Sequence, residues 1–304
     1  MDFGRLNQIS HLRFELPPED PSTVQYLSDN PRSSIPLIYI GAPIWTHKEW
    51  VGKIYPPKTQ PRDFLRQYAE QFNSIELNSS FYSLPSNEQV KNWQETVPSH
   101  FKFSPKFPQS ISRALRDASV TEIRTAFETF LGFEENLGLS FMQLPPHFSP
   151  REIPVLRNFF RHIPKGFQLA VELRHENWFF NHAMIPEAEA LFAEFGVSSV
   201  ISDVAGRRDV LHSTLRTHQV LIRFNGHGLH PTDYLRIEDW ADRIVGWVKA
   251  GVHTVYFFIH QVDPLTMPDL AIDLIGRINR GLDLHVTPPK WLDANAAEQM
   301  ILFS

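Results

Sequence analysis

Short apolar runs alternate with segments of helical periodicity along the chain from Ile35 onward. The runs have the length of ordinary strands, and the segments between them place apolar side chains on one face of a helix. This alternation is typical of an α/β protein with a parallel sheet. The eight predicted strands are residues 37–41, 74–78, 101–104, 139–143, 168–173, 198–203, 220–225 and 254–259.

The helical segments repeat apolar residues every three or four positions, which gives each predicted helix one apolar face to pack on the sheet. The weakest of these segments lies between Asp203 and Val220, where Arg207, Arg208 and Asp209 interrupt the pattern. The positions that define four of the helices are Val90, Trp93, Val97; Ile123, Phe127, Phe130, Leu131; Trp240, Ile244, Trp247, Val248; and Leu270, Leu274, Ile278.

Eight strands that alternate with helices can close into a barrel or stay open as a doubly wound sheet. An open nucleotide-binding sheet normally has a glycine-rich turn after its first strand, but here a Gly-Ala-Pro-Ile-Trp sequence follows at 41–45. It has neither G-x-G-x-x-G spacing nor a P-loop lysine. We therefore predict an α/β fold with a single (β/α)8 TIM barrel over residues 35–304.

The first 34 residues differ from the rest of the chain. They combine Pro17, Pro18, Pro21 and Pro31 with Asp, Ser and Asn, and they show no useful periodicity. Such composition is typical of irregular chain. We predict an extended N-terminal arm over residues 1–34, which can pack on the barrel.

Composition excludes several kinds of chemistry. The chain has no cysteine, so disulfides, thiolate metal ligands and a cysteine nucleophile are excluded. The first thirty residues have no apolar core typical of a signal peptide, and no stretch approaches the ~20 apolar residues that cross a bilayer. We expect a cytoplasmic protein with no membrane partner. The net charge of −5 argues against broad electrostatic capture of nucleic acid.

Polar residues are predicted to converge at the mouth of the barrel, by which we mean the face formed by the C-terminal ends of the strands. Alternate strand residues point into the lumen, and functional groups of TIM barrels lie near those strand ends. Several polar residues share the inward parity or follow a strand end. They are Glu76, Asn78, Lys106, Gln143, Glu172, Arg174, Asp203, Arg223, Asn225, His227 and His260.

The inward charged residues suggest an anion site with acid–base chemistry. Guanidinium groups match the oxygens of phosphates and carboxylates, so Arg174 and Arg223 are candidates to hold an anion. Glu76 or Glu172 would transfer a proton with help from His175, and Asp203 is a further catalytic candidate. The alternative is that the carboxylates and guanidiniums only neutralise one another.

Two further features of the mouth are open to interpretation. Four histidines, at positions 175, 227, 230 and 260, could form a divalent metal site with Glu76, Glu172 and Asp203, but no fixed ligand spacing favours it. Trp45 and Tyr82 lie in loops that would line the rim, where aromatic rings either stack on a ligand or anchor the loops. The hydroxyl group of Tyr82 makes it the better ligand-binding candidate.

An ordered series of motifs resembles the YecE-like family, a widespread group of unknown function. The likeness covers about residues 37–280. The motifs are Ile-Gly-x-x-x-Trp at 40–45, Phe-Asn-Ser-Ile-Glu-Leu-Asn-Ser-Ser-Phe-Tyr-Ser-Leu-Pro at 72–85, Phe-Lys-Phe-Ser-Pro-Lys-Phe-Pro at 101–108, Gln-Leu-Pro-Pro at 143–146, Val-Glu-Leu-Arg-His at 171–175 and Ile-Arg-Phe-Asn-Gly at 222–226.

The resemblance implies a TIM barrel somewhat similar to metal-dependent sugar isomerases and endonuclease IV, without a settled activity. The motifs contain most of the candidates selected by parity, together with Tyr82 and His175. The chain departs from the family after the eighth strand, where many relatives carry an Asn-Asn pair and this chain has His260-Gln261.

We therefore expect an enzyme of unspecified reaction that binds a phosphorylated or carboxylated, sugar-like small molecule at the mouth. One alternative is a protein that binds or processes nucleic acid, with phosphate contacts from Lys106, Arg174 and Arg223. The other is a non-catalytic binding module. The sequence does not predict the oligomeric state or a cofactor.

Overall fold

The structure is a computed structural model, and it describes residues 4, 6, 8–32 and 34–292. Eight parallel strands form one sheet in the order β3-β2-β1-β10-β9-β8-β5-β4. These strands are β1 (Leu37–Ala42), β2 (Ser74–Leu77), β3 (Lys102–Pro105), β4 (Ser140–Gln143), β5 (Leu169–Glu172), β8 (Ser198–Asp203), β9 (Gln219–Asn225) and β10 (Thr254–His260). A separate antiparallel hairpin joins β6 (Phe179–Phe180) to β7 (Ala183–Met184).

The sheet closes on itself through short contacts between β3 and β4. Isolated bridges pair Phe103 with Leu137 and Lys106 with Phe141. The amide of Phe107 donates to the carbonyl of Phe141 at 2.8 Å, and the amide of Gly138 donates to the carbonyl of Phe103 at 2.7 Å. Eight parallel strands closed in this way confirm the predicted barrel.

Most of the helices cover the outside of the barrel and bury apolar faces against it, whereas the two four-residue helices lie in the loops that follow the second and third strands. The helices are α1 (Pro21–Asp29), α2 (Phe64–Gln71), α3 (Ser79–Tyr82), α4 (Asn87–Thr96), α5 (Gln109–Ser112), α6 (Val120–Leu131), α7 (Ile153–Phe160), α8 (Pro186–Phe195), α9 (Pro231–Ala250) and α10 (Met267–Leu282). In α9, Trp240, Ile244 and Trp247 are buried, as their spacing predicts. Among the described residues, no helix has the length and apolar character to span a membrane.

Side chains fill the lower part of the barrel lumen. Its apolar layer comprises Leu139, Phe141, Ala170, Val200, Leu221, Tyr256 and Phe258. A TIM barrel filled in this way is a packed core and not a pore. Within the lumen, open space for a ligand is therefore confined to the mouth above this layer.

The third strand extends one residue beyond its predicted end. We expect it to end at Ser104 because Pro105 cannot donate to a ladder, but Pro105 belongs to β3 and pairs with Leu77. The neighbouring Lys106 amide donates towards β2, to the Leu77 carbonyl at 3.3 Å. The nitrogen of Pro105 therefore faces β4, where only isolated bridges join the two strands, so no continuous ladder is interrupted.

The weak helical segment between β8 and β9 forms only a short 3-10 turn, Arg208–Val210. Helix α1 of the arm packs there instead. The Thr23 hydroxyl donates to the Ser213 carbonyl at 2.9 Å and accepts from the Leu215 amide at 2.7 Å. The arm thus supplies a helix beside a barrel segment that has none of its own.

The prediction of an extended arm is wrong for residues 21–29. Asp20 caps α1 by accepting from the Ser22 amide at 2.9 Å, and Pro21 occupies the first helical position. Both residues favour a helix start. The predicted domain boundary at residues 34 and 35 stays a prediction, and residues 293–304 of the predicted barrel lie outside the described residues.

We expect Thr23→Val to lower the free energy of unfolding by about 1–3 kcal/mol, because it leaves the buried Leu215 amide without its acceptor. Urea denaturation would measure the loss. Thr96→Val is the control, since Thr96 is only half-buried and its hydroxyl donates within its own helix, to the Asn92 carbonyl. Equal stability of the two variants would show that Thr23 does not hold the arm.

Candidate functional site

Arg223 and Glu76 form a buried ion pair at the top of the lumen. Arg223 Nε donates to Glu76 Oε2 at 2.9 Å, and Arg223 Nη2 donates to Glu76 Oε1 at 2.9 Å. Two further groups satisfy the carboxylate: Asn78 Nδ2 at 2.8 Å from Oε1, and His260 Nε2 at 3.0 Å from Oε2. Such a bidentate pair with every oxygen bonded is the arrangement in which a buried charge is tolerated.

Glu172 is the second buried carboxylate, and it shares the same guanidinium. Arg223 Nη1 donates to Glu172 Oε2 at 3.0 Å, and Gln143 Nε2 donates to that oxygen at 2.7 Å. The other oxygen accepts from Arg174 Nε at 2.5 Å. The structure thus joins residues from β2, β4, β5, β9 and β10 in one network, as the strand parity predicts.

The network keeps both carboxylates ionised. Burial raises the pKa of Glu172, but Arg174 and Arg223 outweigh it and hold that pKa at about 2. Burial likewise opposes ionisation of Glu76, yet Arg223 and His260 hold the pKa of Glu76 well below its usual range. Glu76 and Glu172 are 0% and 1% exposed, so they lie behind the arginines.

Lys106 lies beside this network without a carboxylate partner among the described residues. Its ammonium donates to Gln143 Oε1 at 2.9 Å and lies 4.2 Å from the ring centre of Phe81. Burial, with the charge of Arg223 acting in the same direction, lowers the pKa of Lys106 to about 7. The lysine is therefore a group that changes charge near neutral pH.

A cavity of about 390 Å³ opens above these residues. It is lined by Asn78, Phe81, Tyr82, Lys106, Arg113, Gln143, Leu144, Pro145, Pro146, His147, Arg174, Ser202, Val204, Arg223 and Asn225. Seven candidates from the sequence meet here: Asn78, Tyr82, Lys106, Gln143, Arg174, Arg223 and Asn225. Tyr82 is 75% exposed, so it lies at the rim.

The sequence analysis missed three polar residues of this cavity, Arg113, His147 and Ser202. Arg113 follows α5, which is not a strand end, and its guanidinium lies 5.2 Å from the Phe81 ring centre. Ser202 points into the lumen from β8, and its buried hydroxyl has no partner among the described residues. In a strand such as β8, where small and apolar residues occur on both faces, the sequence does not show which face points into the lumen.

A second cavity, of about 260 Å³, adjoins the first. Asn225 and Val204 line both, whereas His227 and His260 line only the second. The family departure at His260-Gln261 therefore lies in this second cavity. His260 also contacts the ion network, through the hydrogen bond to Glu76.

Asp203 lies outside the mouth, although the sequence groups it with the inward carboxylates. It points towards the helix layer, where its carboxylate accepts from Arg236 Nη1 at 3.1 Å and from Trp240 Nε1 at 2.8 Å. Arg208 also donates to it. The physical reason is parity, since Val200 of the same strand belongs to the lumen layer and Asp203 has the opposite parity.

Two other candidates also lie away from both cavities. His175 Nδ1 accepts from the Asn177 amide at 3.1 Å, so this histidine caps a 3-10 turn. Trp45 packs edge-on against Trp93, with ring centres 5.6 Å apart. Neither residue lines either cavity.

The seven residues considered for a metal site do not form one cluster, although Glu76 and His260 are in contact. His230 caps α9 by accepting from the Thr232 amide at 3.3 Å. Within the described residues, the group whose ligand atoms lie close enough to hold an ion is His47, Glu49 and Asp263, at a partly exposed place beside the mouth. No member of this group was among the seven.

The chain is similar to proteins whose function is unknown. The family model "Protein of unknown function DUF72" matches residues 39–291. The UPF0759 protein YecE of Escherichia coli O157:H7 is 32% identical over 257 residues, covering 77% of this chain and 90% of that protein. The UPF0759 protein YunF of Bacillus subtilis (strain 168) is 26% identical over 201 residues, covering 62% of this chain and 70% of that protein.

Solved structures support the same fold. A DUF72 family protein of Enterococcus faecalis V583 superposes with a TM-score of 0.63 at 18% identity, covering 84% of this chain and 100% of that one. A DUF72 family protein of Thermotoga maritima MSB8 gives a TM-score of 0.60 at 20% identity, covering 82% and 100%. The YecE-like resemblance of the motifs is confirmed, and the chain belongs to the DUF72 family.

Proposed function

We propose that the 390 Å³ cavity binds a small phosphorylated or carboxylated molecule and that the protein is an enzyme that acts on it. The observation that carries the proposal is the charge of the cavity wall. Its lining contains Lys106, Arg113, Arg174 and Arg223, and no carboxylate among the described residues. An anion is the ligand that such a wall attracts.

The buried carboxylates leave this wall with an excess of positive charge. Glu76 and Glu172 together neutralise two positive charges, whereas Arg174, Arg223 and Arg113 alone carry three. Guanidiniums held by carboxylates from behind are already oriented, so a ligand loses little free energy in ordering them. We infer that the carboxylates position the arginines.

Lys106 is the group best suited to move a proton in this cavity. A general acid or base works best when its pKa lies near the operating pH. The pKa of Lys106 is about 7. The lowered pKa values of Glu76 and Glu172 make these carboxylates weak bases. No observation tests their predicted role in proton transfer, and we propose Lys106 for that role.

We expect sulfate to bind more weakly as the pH rises through 7. Protonated Lys106 attracts the anion, and neutral Lys106 does not, so the affinity should fall about tenfold between pH 6 and pH 8. Sulfate itself does not titrate in this range. Isothermal titration calorimetry of the full chain at several pH values would measure the effect.

Lys106→Met should remove most of this pH dependence and weaken binding at pH 6. Lys102→Met is the matched control, because Lys102 lies at the other end of β3 and donates to the Glu135 carbonyl. His147→Gln tests the other titratable group of the lining outside the ion network. Sulfate binding that is equal in all three variants would contradict the proposal.

The nucleic-acid alternative makes a different prediction. A protein that neutralises several phosphates loses affinity steeply with salt, whereas a small anion in one cavity shows a shallower dependence. Titrating short single-stranded DNA at several salt concentrations would separate the two.

A further inference from the structure

The second cavity has a wall that the N-terminal arm provides. Ile9 and Phe14 of the arm line it on one side, and His260 and Gln261 line it on the other. Both arm residues are buried, at 4% and 9% exposure. The arm precedes residues 39–291, which match the family model, so this wall lies outside the matched region.

Close backbone contacts hold the wall in place. The Gly206 amide donates to the Gly4 carbonyl at 2.8 Å, and a Cβ at Gly206 would lie 2.8 Å from that oxygen. A Cβ at Gly226 would lie 2.2 Å from Gln261 Nε2. Glycine at both positions therefore allows the arm and Gln261 to approach the cavity closely.

The second cavity carries no unbalanced charge. Arg236 is the one Lys, Arg, Asp or Glu residue of its described lining. Its guanidinium donates to Asp203 and to Asp233, each at 3.1 Å. An anion therefore has no advantage here, in contrast to the first cavity, and an uncharged group does not have to displace a counter-ion.

The lining suits a group with both an apolar face and hydroxyls. Ile9 and Phe14 offer apolar contact, whereas Asn225, His227 and His260 offer donors and acceptors. His260 contacts Glu76 through Nε2, and its Nδ1 makes no hydrogen bond to a described residue. A polyhydroxy group could use this nitrogen without breaking the network.

The two cavities adjoin one another. They share Asn225 and Val204, and one carboxylate, Glu76, accepts from Arg223 of the first cavity and from His260 of the second. A ligand that extends across Asn225 would therefore contact both sets of residues.

We infer that the two cavities form one bipartite site, in which the cationic cavity holds the anionic group of a ligand and the arm-walled cavity holds an uncharged polyhydroxy part. The ligand class is then a sugar phosphate or a sugar acid, and the arm determines the size of the uncharged part. This inference rests on the proposed function.

Two matched pairs of probes test it by calorimetry on the full chain. Inorganic phosphate is compared with glucose 6-phosphate, and acetate with gluconate, because each pair differs by the polyhydroxy part. In the pair whose simple anion binds, we expect the larger probe, glucose 6-phosphate or gluconate, to bind at least tenfold more tightly than that anion. Val262→Trp should abolish that gain without changing the affinity for the simple anion, since Val262 lines the second cavity and is 55% exposed.

Val24→Trp is the matched control, because Val24 is 50% exposed on α1 and lines neither cavity. Gly206→Ala, which displaces the arm, should also reduce the gain. Equal affinities within a pair, or a gain that survives in both Val262→Trp and Gly206→Ala, would overturn the bipartite site and leave the proposed function intact. Failure of both simple anions and both larger probes to bind would overturn the proposed function and the bipartite site together.

Discussion

Arg223→Met is expected to lower the free energy of unfolding by about 3–5 kcal/mol, the usual cost of removing one partner of a buried ion pair. Methionine fills much of the arginine volume, so the loss is electrostatic. Glu76 would keep only Asn78 and His260 as partners, and Glu172 only Gln143 and Arg174. Urea denaturation at pH 7 would measure it.

The pH dependence of the free energy of unfolding shows whether the lost ion pair causes this destabilisation. In the native protein the pKa of Glu172 is lowered to about 2, so its stabilisation is present above the unfolded value of ~4.3 and is lost as the pH falls towards 2. In Arg223→Met, burial is opposed less and raises both carboxyl pKa values. Because both carboxylates are buried, we expect these values to exceed the unfolded value of ~4.3. The variant then becomes less stable as the pH rises, and the difference between the two proteins grows from pH 4 to pH 7.

Arg116→Met is the control for Arg223→Met. Arg116 pairs with Glu152 at 2.7 Å, but its side chain is 68% exposed, and exposed pairs contribute ~0–1 kcal/mol. A loss below ~1 kcal/mol in Arg223→Met, with no pH dependence, would show that the network does not stabilise the barrel.

Asp203→Ala is expected to lower the free energy of unfolding by a similar amount, about 3–5 kcal/mol, through an ion pair outside the mouth. The substitution removes the acceptor of the Trp240 indole and one of the two carboxylates that face Arg236, which is 2% exposed. Sulfate affinity of the folded protein should stay unchanged, because Asp203 lines neither cavity. Denaturation and calorimetry on the same variant would measure both quantities.

Asp209→Ala is the matched control for Asp203→Ala. Asp209 pairs with Arg207, and its side chain is 38% exposed, so its loss should change stability by ~0.5 kcal/mol or less. If Asp203→Ala abolished sulfate binding while the protein stayed folded, Asp203 would belong to the site after all, as the sequence analysis predicts.

Strand parity predicted the site where the two faces of a strand differ clearly. In β9, Ile222 and Phe224 are apolar and Arg223 and Asn225 are polar, so the inward side is evident from the sequence. In β8 the residues are Ser-Ser-Val-Ile-Ser-Asp, and both faces are mixed. The sequence therefore identified Asp203 as polar but did not show which side of β8 faces the lumen, and its partner Arg236 lies 33 residues later, on α9.

The role of the arm could not be predicted for a related reason. Its helix is short and buries only Thr23 and Leu27, and Thr23, which anchors it, is not an apolar residue. The missing helix after β8 was indicated by its poor pattern, but no local feature shows that residues 21–29 would pack there. Contacts between distant segments depend on the assembled barrel, which sequence periodicity does not encode.

The docking of α1 also has a kinetic consequence. Thr23 leaves the ribosome early, yet its partner Ser213 follows 190 residues later. A contact between such distant segments forms late, because closing a long loop costs entropy before it gains any interaction. Thr23→Val should then speed unfolding and leave the refolding rate unchanged. Helix α1, which is synthesised before the barrel, would thus be among the last elements to pack.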